Sequence, residues 1–258
     1  MSAAVHPEEI VQVYVWEWPV RVCHWVIAIS LVVLAATGMY MGHPFIVFGE
    51  VFRQQFLTGT IRYIHFLFAI FFSCAVVARI GWMFTGNRFA RWDKFIPVKA
   101  SRRTGIVNAV RFYLFRLRKP PGYVGHNPLA GATYVFVFLL YLVMITSGFS
   151  LYADMAHVRL IHWAFSLFRP LYGSLQTARF IHHVVMYLLL GFAVHHVYSA
   201  VLMSQVEANA TMESIFSGFK FVKKGDLVHA GDWQGAAIRR GVNALWTHGG
   251  ILYAPPMH

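Results

Sequence analysis

The sequence predicts an all-α integral membrane protein, a four-helix transmembrane bundle, and three observations favour this fold class. Of the 258 residues, 58% are hydrophobic and 12% are charged, whereas an average soluble domain carries about 25% charged residues. The mean hydropathy is +0.54. Four separate apolar runs are each long enough to cross a bilayer as a helix.

The four apolar runs define the domain organisation. A hydrocarbon core of about 30 Å requires roughly twenty helical residues, and we expect spans at about residues 23–41, 62–84, 129–152 and 178–203. Residues 1–204 are therefore predicted to form the transmembrane domain. Residues 205–258 contain charged residues and scattered glycines, so we expect a surface tail and not a fifth span. An even number of spans places both termini on one side of the membrane.

The distribution of charge predicts the orientation. The net charge is +12, and ten of the 22 Lys and Arg residues lie between Arg88 and Lys119, against the single acid Asp93. A basic segment between two apolar spans is what the positive-inside rule predicts for a cytoplasmic loop. We therefore expect residues 85–128, both termini and the tail to be cytoplasmic, and we expect no nucleic-acid partner.

Histidines within the spans are the candidate functional residues, because an ionisable side chain inside a bilayer is costly. Six of the fourteen histidines fall within predicted spans, namely His24, His65, His182, His183, His195 and His196. His182 and His196 are fourteen residues apart, nearly four helical turns, so they share one helix face and lie about 21 Å apart along the axis. His182 with His195, and His183 with His196, are thirteen apart and out of register.

The depths of these histidines match in pairs. His24 and His196 lie toward the cytoplasmic ends of the first and fourth spans, whereas His65 and His182 lie toward the opposite side. This arrangement predicts two haem groups between the helices, each with two axial histidine ligands on its iron. Neutral imidazole is a good haem ligand. Filling both axial positions leaves no site for oxygen, which favours electron transfer over catalysis.

Short motifs surround these histidines. One group is Arg21-Val22-Cys23-His24-Trp25 followed by Thr37-Gly38, and a second is His182-His183, Met186-Tyr187, Phe192 and His196-Val197-Tyr198. Further motifs are Glu17-x-Pro19-Val20-Arg21, Arg62-x-x-His65-Phe66, Gly86-Asn87-Arg88 and Gly125-His126-Asn127-Pro128-Leu129. Over about residues 13–220 the sequence resembles the b-type cytochrome subunits of membrane-bound nickel–iron uptake hydrogenases, which are related to the cytochrome b subunits of formate dehydrogenases.

The resemblance implies a location, a set of partners and a route for electrons. It implies a multi-pass protein of the bacterial cytoplasmic (inner) membrane, with an iron–sulfur small subunit and a nickel–iron large subunit on its periplasmic side. Electrons from hydrogen would enter at the haem of His65 and His182, pass to the haem of His24 and His196, and reduce menaquinone or ubiquinone. The family's ligands of two haem b groups fall on these same four histidines. The chain itself would carry out no hydrogen chemistry.

Three alternatives remain open at the level of sequence. His195 adjoins a predicted ligand and could take its place. The partner could be another periplasmic oxidoreductase, such as formate dehydrogenase or thiosulfate reductase. A transporter that moves protons or metal ions through intramembrane histidines would need acidic partners within the spans, and the predicted spans contain none.

The quinone site is a further hypothesis. His126 and Asn127 open the third span on the cytoplasmic side, where a helix N-terminus favours a developing quinone anion. The competing interpretation is an ordinary helix start, with Asn127 as the capping residue and Pro128 at the first helical position.

Overall fold

The computed structural model describes residues 10–45, 51–87, 89–92, 95, 100–114, 116, 128–207, 210–223, 238–239, 244–247 and 250–253. Within these ranges the helices are α1 (Trp18–Gly42), α2 (Val51–Thr85), α3 (Ala100–Tyr113), α4 (Pro128–Tyr152), α5 (Arg159–Ser166), α6 (Leu175–Glu207) and α7 (Ser214–Ser217). The strands are β1 (Ile10–Tyr14), β2 (Phe219–Lys223), β3 (Ile238–Arg239), β4 (Ala244–Thr247) and β5 (Gly250–Tyr253).

Four of the described helices, α1, α2, α4 and α6, are long and apolar enough to cross a membrane. Their number equals the number of spans that the sequence predicts. The helices extend beyond the apolar runs, because α1 begins at Trp18 and α2 at Val51, whereas hydropathy placed these starts near residues 23 and 62. A charged or polar residue interrupts each apolar run before its predicted start, Arg21 in α1 and Arg53 and Gln55 in α2, and the helix continues through it.

Residues 22–81 and 135–196 form one compact unit, the helical unit, which contains most of the four membrane-length helices. Its core is a cluster of apolar side chains contributed by all four. Val76 of α2 and Leu189 of α6 are fully buried, and Tyr141 of α4 meets Phe72 of α2 edge to face, with 5.2 Å between ring centroids. Tight packing of this kind holds helices together in a bilayer, where burial from water contributes nothing.

The connection between α4 and α6 belongs to the same unit and is held by specific contacts. The ring of Phe165 on α5 stacks on Phe149 of α4 at 4.1 Å between centroids. His162 Nδ1 donates a hydrogen bond to the carbonyl of Ala153 at 2.8 Å, and Arg169 forms a salt bridge with Asp154. These contacts fix α5 against the end of α4.

The described residues within 1–21, 82–134 and 197–258 form the second unit, the terminal unit. In its described part β1 pairs in antiparallel fashion with β2 (Val13 opposite Lys220) and with β3 (Val13 opposite Ile238), while β4 and β5 form a separate antiparallel pair. The chain is thus mostly helical, as predicted, but not entirely. The predicted tail also contains regular secondary structure, since it begins within the last turn of α6 and includes α7 and β2.

A glycine is required where α7 meets β2. Gly218 has a φ of 87°, a left-handed conformation that side chains with a Cβ rarely adopt. A Cβ at this position would lie 2.6 Å from Tyr14 and 2.8 Å from the carbonyl of Trp16. The carbonyl of Gly218 also accepts hydrogen bonds from the amides of Val15 and Trp16. The close approach of the two chain segments therefore depends on this residue.

A polar clamp in the terminal unit ties the start of α1 to the end of α2. The carboxylate of Glu17 accepts hydrogen bonds from Trp82 Nε1 at 2.8 Å and from the amide of Asn87 at 2.7 Å. Asn87 Nδ2 donates to the carbonyl of Val15 at 3.0 Å, and Asn87 Oδ1 accepts from the amides of residues 89 and 90. Glu17 and Gly86-Asn87, which are separate motifs in the sequence, therefore form one structural feature.

Candidate functional site

The first candidate pair is His24 of α1 and His196 of α6. Both side chains are half-buried, and their ring centroids are 6.1 Å apart with 54° between the ring planes. An imidazole nitrogen binds a metal at about 2 Å and lies roughly 1.2 Å from its ring centre, so two imidazoles on opposite sides of one ion have centres about 6.4 Å apart. The observed separation is therefore close to the one that two imidazoles holding a single iron would have.

The second candidate pair is His65 of α2 and His182 of α6, and each ring is held by a hydroxyl from a neighbouring helix. Thr37 Oγ1 lies 2.9 Å from His65 Nδ1, and Ser147 Oγ lies 2.8 Å from His182 Nδ1. The two helices approach each other near these rings, since a Cβ built on Gly38 would meet His65 Cε1 at 3.4 Å and Sδ of Met186 on α6 at 3.8 Å.

The hydroxyl contacts define which ring nitrogen is available at His65 and His182. Thr37 Oγ1 donates to the carbonyl of Val33 at 2.7 Å, and Ser147 Oγ donates to the carbonyl of Met144 at 3.1 Å. When each hydroxyl donates its single hydrogen to that carbonyl, its oxygen accepts a hydrogen bond from the histidine Nδ1–H. The lone pair of Nε2 is then free to bind a metal.

Two glycines make room for these rings. A Cβ built on Gly38 would lie 3.4 Å from His65 Cε1, and a Cβ built on Gly148 would lie 3.2 Å from His182 Cε1. In each case the glycine directly follows the residue whose hydroxyl contacts the same ring. The dipeptides Thr37-Gly38 on α1 and Ser147-Gly148 on α4 therefore have equivalent roles. In each, the hydroxyl contacts a histidine ring and the glycine leaves space for that ring. Sequence reasoning missed Ser147, although the repeated hydroxyl–glycine pattern could have identified it.

The neighbouring histidines have different surroundings. His195 lies on an exposed face of α6, whereas His196 faces His24 and stacks on Phe192 with 5.6 Å between centroids. His183 Nδ1 donates to the carbonyl of Arg179 in its own helix at 2.8 Å. Its Nε2 faces Gly42, at 3.1 Å from where a Cβ would be. The structure therefore places His196, and not His195, against His24.

His126 and Asn127, the predicted quinone-binding residues, lie outside the described residues. The structure describes the helix that follows them, and α4 begins at Pro128. A proline at the first helical position costs no hydrogen bond, because that amide has no partner within the helix.

The metal-binding side chains of the described residues indicate which kind of metal group the chain could hold. Within the described ranges no three His, Cys, Asp or Glu side chains converge on a point that could hold a bare metal ion. Two opposed imidazoles instead suit an iron whose other four positions are filled by a porphyrin. Four membrane-length helices that enclose such pairs define the class of membrane-embedded b-type cytochromes.

Comparison with known proteins gives the same class. The family described as prokaryotic cytochrome b561 matches residues 15–218. The probable Ni/Fe-hydrogenase B-type cytochrome subunit of Cupriavidus necator is 33% identical over 229 residues, covering 86% of this chain and 92% of that protein. The corresponding protein of Rhodobacter capsulatus is 36% identical over 82% of each chain. The Ni/Fe-hydrogenase 1 B-type cytochrome subunit of Escherichia coli K12 is 31% identical over 85% of this chain and 95% of that protein.

The chain belongs to the prokaryotic cytochrome b561 family. It is an integral membrane protein and a b-type cytochrome, so its prosthetic group is haem b and its role lies in electron transport. The predicted resemblance to hydrogenase cytochrome subunits is thereby confirmed.

Proposed function

We propose that this chain is the di-haem cytochrome b of a membrane-bound nickel–iron hydrogenase and carries electrons from hydrogen oxidation to membrane quinone. The single observation that supports this most strongly is the 6.1 Å separation of the His24 and His196 rings, because it matches two axial ligands of one haem iron. The second pair has its Nδ1 atoms occupied by hydroxyls, which leaves both Nε2 atoms for a second iron.

The four histidines would hold the groups as follows. His24 and His196 form one binding site, hereafter the His24 site, and His65 and His182 form the other, hereafter the His65 site. Bound haem supplies a one-electron iron couple. Because His182 and His196 are separated by about 21 Å along α6, the two sites lie at different depths of a hydrocarbon core of about 30 Å.

The partners follow from the relatives. Those proteins are named as Ni/Fe-hydrogenase subunits, which supports an iron–sulfur small subunit and a nickel–iron large subunit as partners here. The positive-inside rule supports a periplasmic location for them in the bacterial inner membrane, next to the His65 site. Affinity purification of the tagged chain from solubilised membranes tests this partner. Recovery of formate dehydrogenase or thiosulfate reductase subunits in place of hydrogenase would contradict it.

The quinone site is proposed at the N-terminus of α4, near His126 and Asn127 on the cytoplasmic side. The helix begins at Pro128, so its positive end would favour a developing quinone anion close to Asn127. The variant Asn127→Ala is expected to retain both haems and to lose hydrogen-driven quinone reduction. Normal turnover in this variant would leave Asn127 as an ordinary helix cap.

A redox-difference spectrum with haem quantitation tests the proposed function itself. The wild-type chain, made with ample haem, is expected to contain two haem b per protein, and His24→Ala and His65→Ala are each expected to contain one. The matched control is His183→Ala, because that ring hydrogen bonds to its own helix. A wild-type protein with no reduced-minus-oxidised haem bands would refute the electron-transfer role.

A further inference from the structure

The hydroxyl contacts distinguish the rings of His65 and His182 from the ring of His24. In the His65 site both Nδ1 atoms contact a hydroxyl, from Thr37 at 2.9 Å and from Ser147 at 2.8 Å. In the His24 site the Nδ1 of His24 is buried and has no hydrogen-bond partner within the described part of the chain. Both hydroxyls also sit on helices other than those of the rings they contact, so they are independent of the ligands' own backbone.

This difference has an electronic consequence. A hydrogen bond donated by the Nδ1–H of a ligand histidine makes the opposite nitrogen more basic. A more basic ligand stabilises ferric over ferrous iron, and hydrogen bonding around the ligands is one of the means by which a protein adjusts a haem potential. The hydroxyl oxygens are improved acceptors, since each donates its own hydrogen to a helix carbonyl, and chains of hydrogen bonds polarise one another.

We propose that Thr37 and Ser147 are positioning residues that lower the midpoint potential of the His65 site below that of the His24 site. This inference rests on the proposed function, because it requires a haem at each site. It assigns a role to two residues that bind no iron themselves. The resulting order of potentials favours electron flow from the His65 site to the His24 site, the direction that hydrogen oxidation on the periplasmic side requires.

The glycine after each hydroxyl supports the same role. Gly38 and Gly148 allow the rings of His65 and His182 to approach the helix closely enough for the hydroxyl contact, since a Cβ would lie 3.4 and 3.2 Å from the two Cε1 atoms. A hydroxyl that served only to satisfy the helix backbone would not need this close approach. Thr133 provides the contrast, because its Oγ1 donates to the carbonyl of Leu129 at 3.0 Å and contacts neither ring.

Potentiometric titration of the purified holoprotein tests the inference. Thr37→Val and Ser147→Ala remove the hydroxyls with little change in volume. We expect each to retain two haems and to shift the lower-potential component upward, changing its oxidised-to-reduced ratio at fixed potential at least threefold, about 28 mV for one electron. The higher-potential component should not move. Thr37→Ser should restore the wild-type value, and Thr133→Val should not alter either component.

The outcomes separate the inference from the proposed function. Two haems with unchanged potentials in both variants, or a shift confined to the higher-potential component, would overturn the inference and leave the di-haem proposal intact. Absence of two haems from the wild-type protein would instead refute the proposed function. If Thr37→Val loses a haem, the midpoint potentials of Ser147→Ala and the wild type decide the test, because Ser147→Ala leaves Thr37 unchanged.

Discussion

Gly148 provides a quantitative test of the ligand geometry. A Cβ at this position would lie 3.2 Å from Cε1 and 3.8 Å from Nδ1 of His182, and the shorter distance is less than an ordinary carbon–carbon contact of about 3.5–4.0 Å. In Gly148→Ala the imidazole must therefore move by a few tenths of an ångström. In Gly148→Val two further methyl groups enter the same space and the displacement becomes larger.

The expected cost follows from packing energetics. Overpacking of this kind costs about 1–3 kcal/mol. If the cost falls on the haem-bound conformation, haem affinity at the His65 site decreases roughly 5- to 150-fold. Gly148→Ala should lie near the lower end and Gly148→Val near the upper end. Gly38→Ala should be milder, since its Cβ would meet His65 at 3.4 Å.

Haem titration of the apoprotein in detergent measures this effect, with the fraction of each site filled read from the absorbance spectrum. Gly191→Ala is the matched control, because it lies on α6 with His182 but a Cβ there would meet no atom within 4 Å. Gly191→Ala should bind both haems as the wild type does. Wild-type haem affinity in Gly148→Val would show that His182 is not held against Gly148 and would refute the ligand geometry.

Two further predictions concern other parts of the molecule. Asn87→Ala removes the side-chain hydrogen bonds of Asn87 to the carbonyl of Val15 and from the amides of residues 89 and 90, while both hydrogen bonds to Glu17 remain. We expect a loss of about 1–3 kcal/mol of stability, measured as a lower thermal unfolding temperature in detergent. An unchanged temperature would show that these side-chain bonds are not stabilising. We expect His183→Ala to retain two haems and His182→Ala to retain one, as measured by the haem-to-protein ratio. The reverse result would make His183 the ligand in place of His182.

The positions of the membrane helices and the register of α6 could be predicted from sequence. Helical periodicity alone selects His182 with His196, since fourteen residues is nearly a whole number of turns, and the structure places His196 against His24. Length and apolar composition likewise predict four spans. Periodicity and apolar run length are both local properties of the sequence, so they can be recognised without knowledge of tertiary contacts.

The features that sequence did not predict depend on contacts between distant segments. The pairing of β1 with β2 joins residues about two hundred positions apart in the chain, as in Val13 opposite Lys220, and neither strand is long enough to be recognised alone. Ser147 was missed for a similar reason. A serine in an apolar helix commonly bonds to its own backbone, and only the tertiary structure shows that its oxygen also contacts His182.

The proposed pairing of the four histidines determines how many haems each of two double variants retains, and haem quantitation measures that number. His24→Ala combined with His196→Ala removes both ligands of one site, whereas His24→Ala combined with His65→Ala removes one ligand from each. We predict one haem b per chain in the first variant and none in the second. Loss of both haems from the first variant, or retention of one by the second, would contradict the pairing.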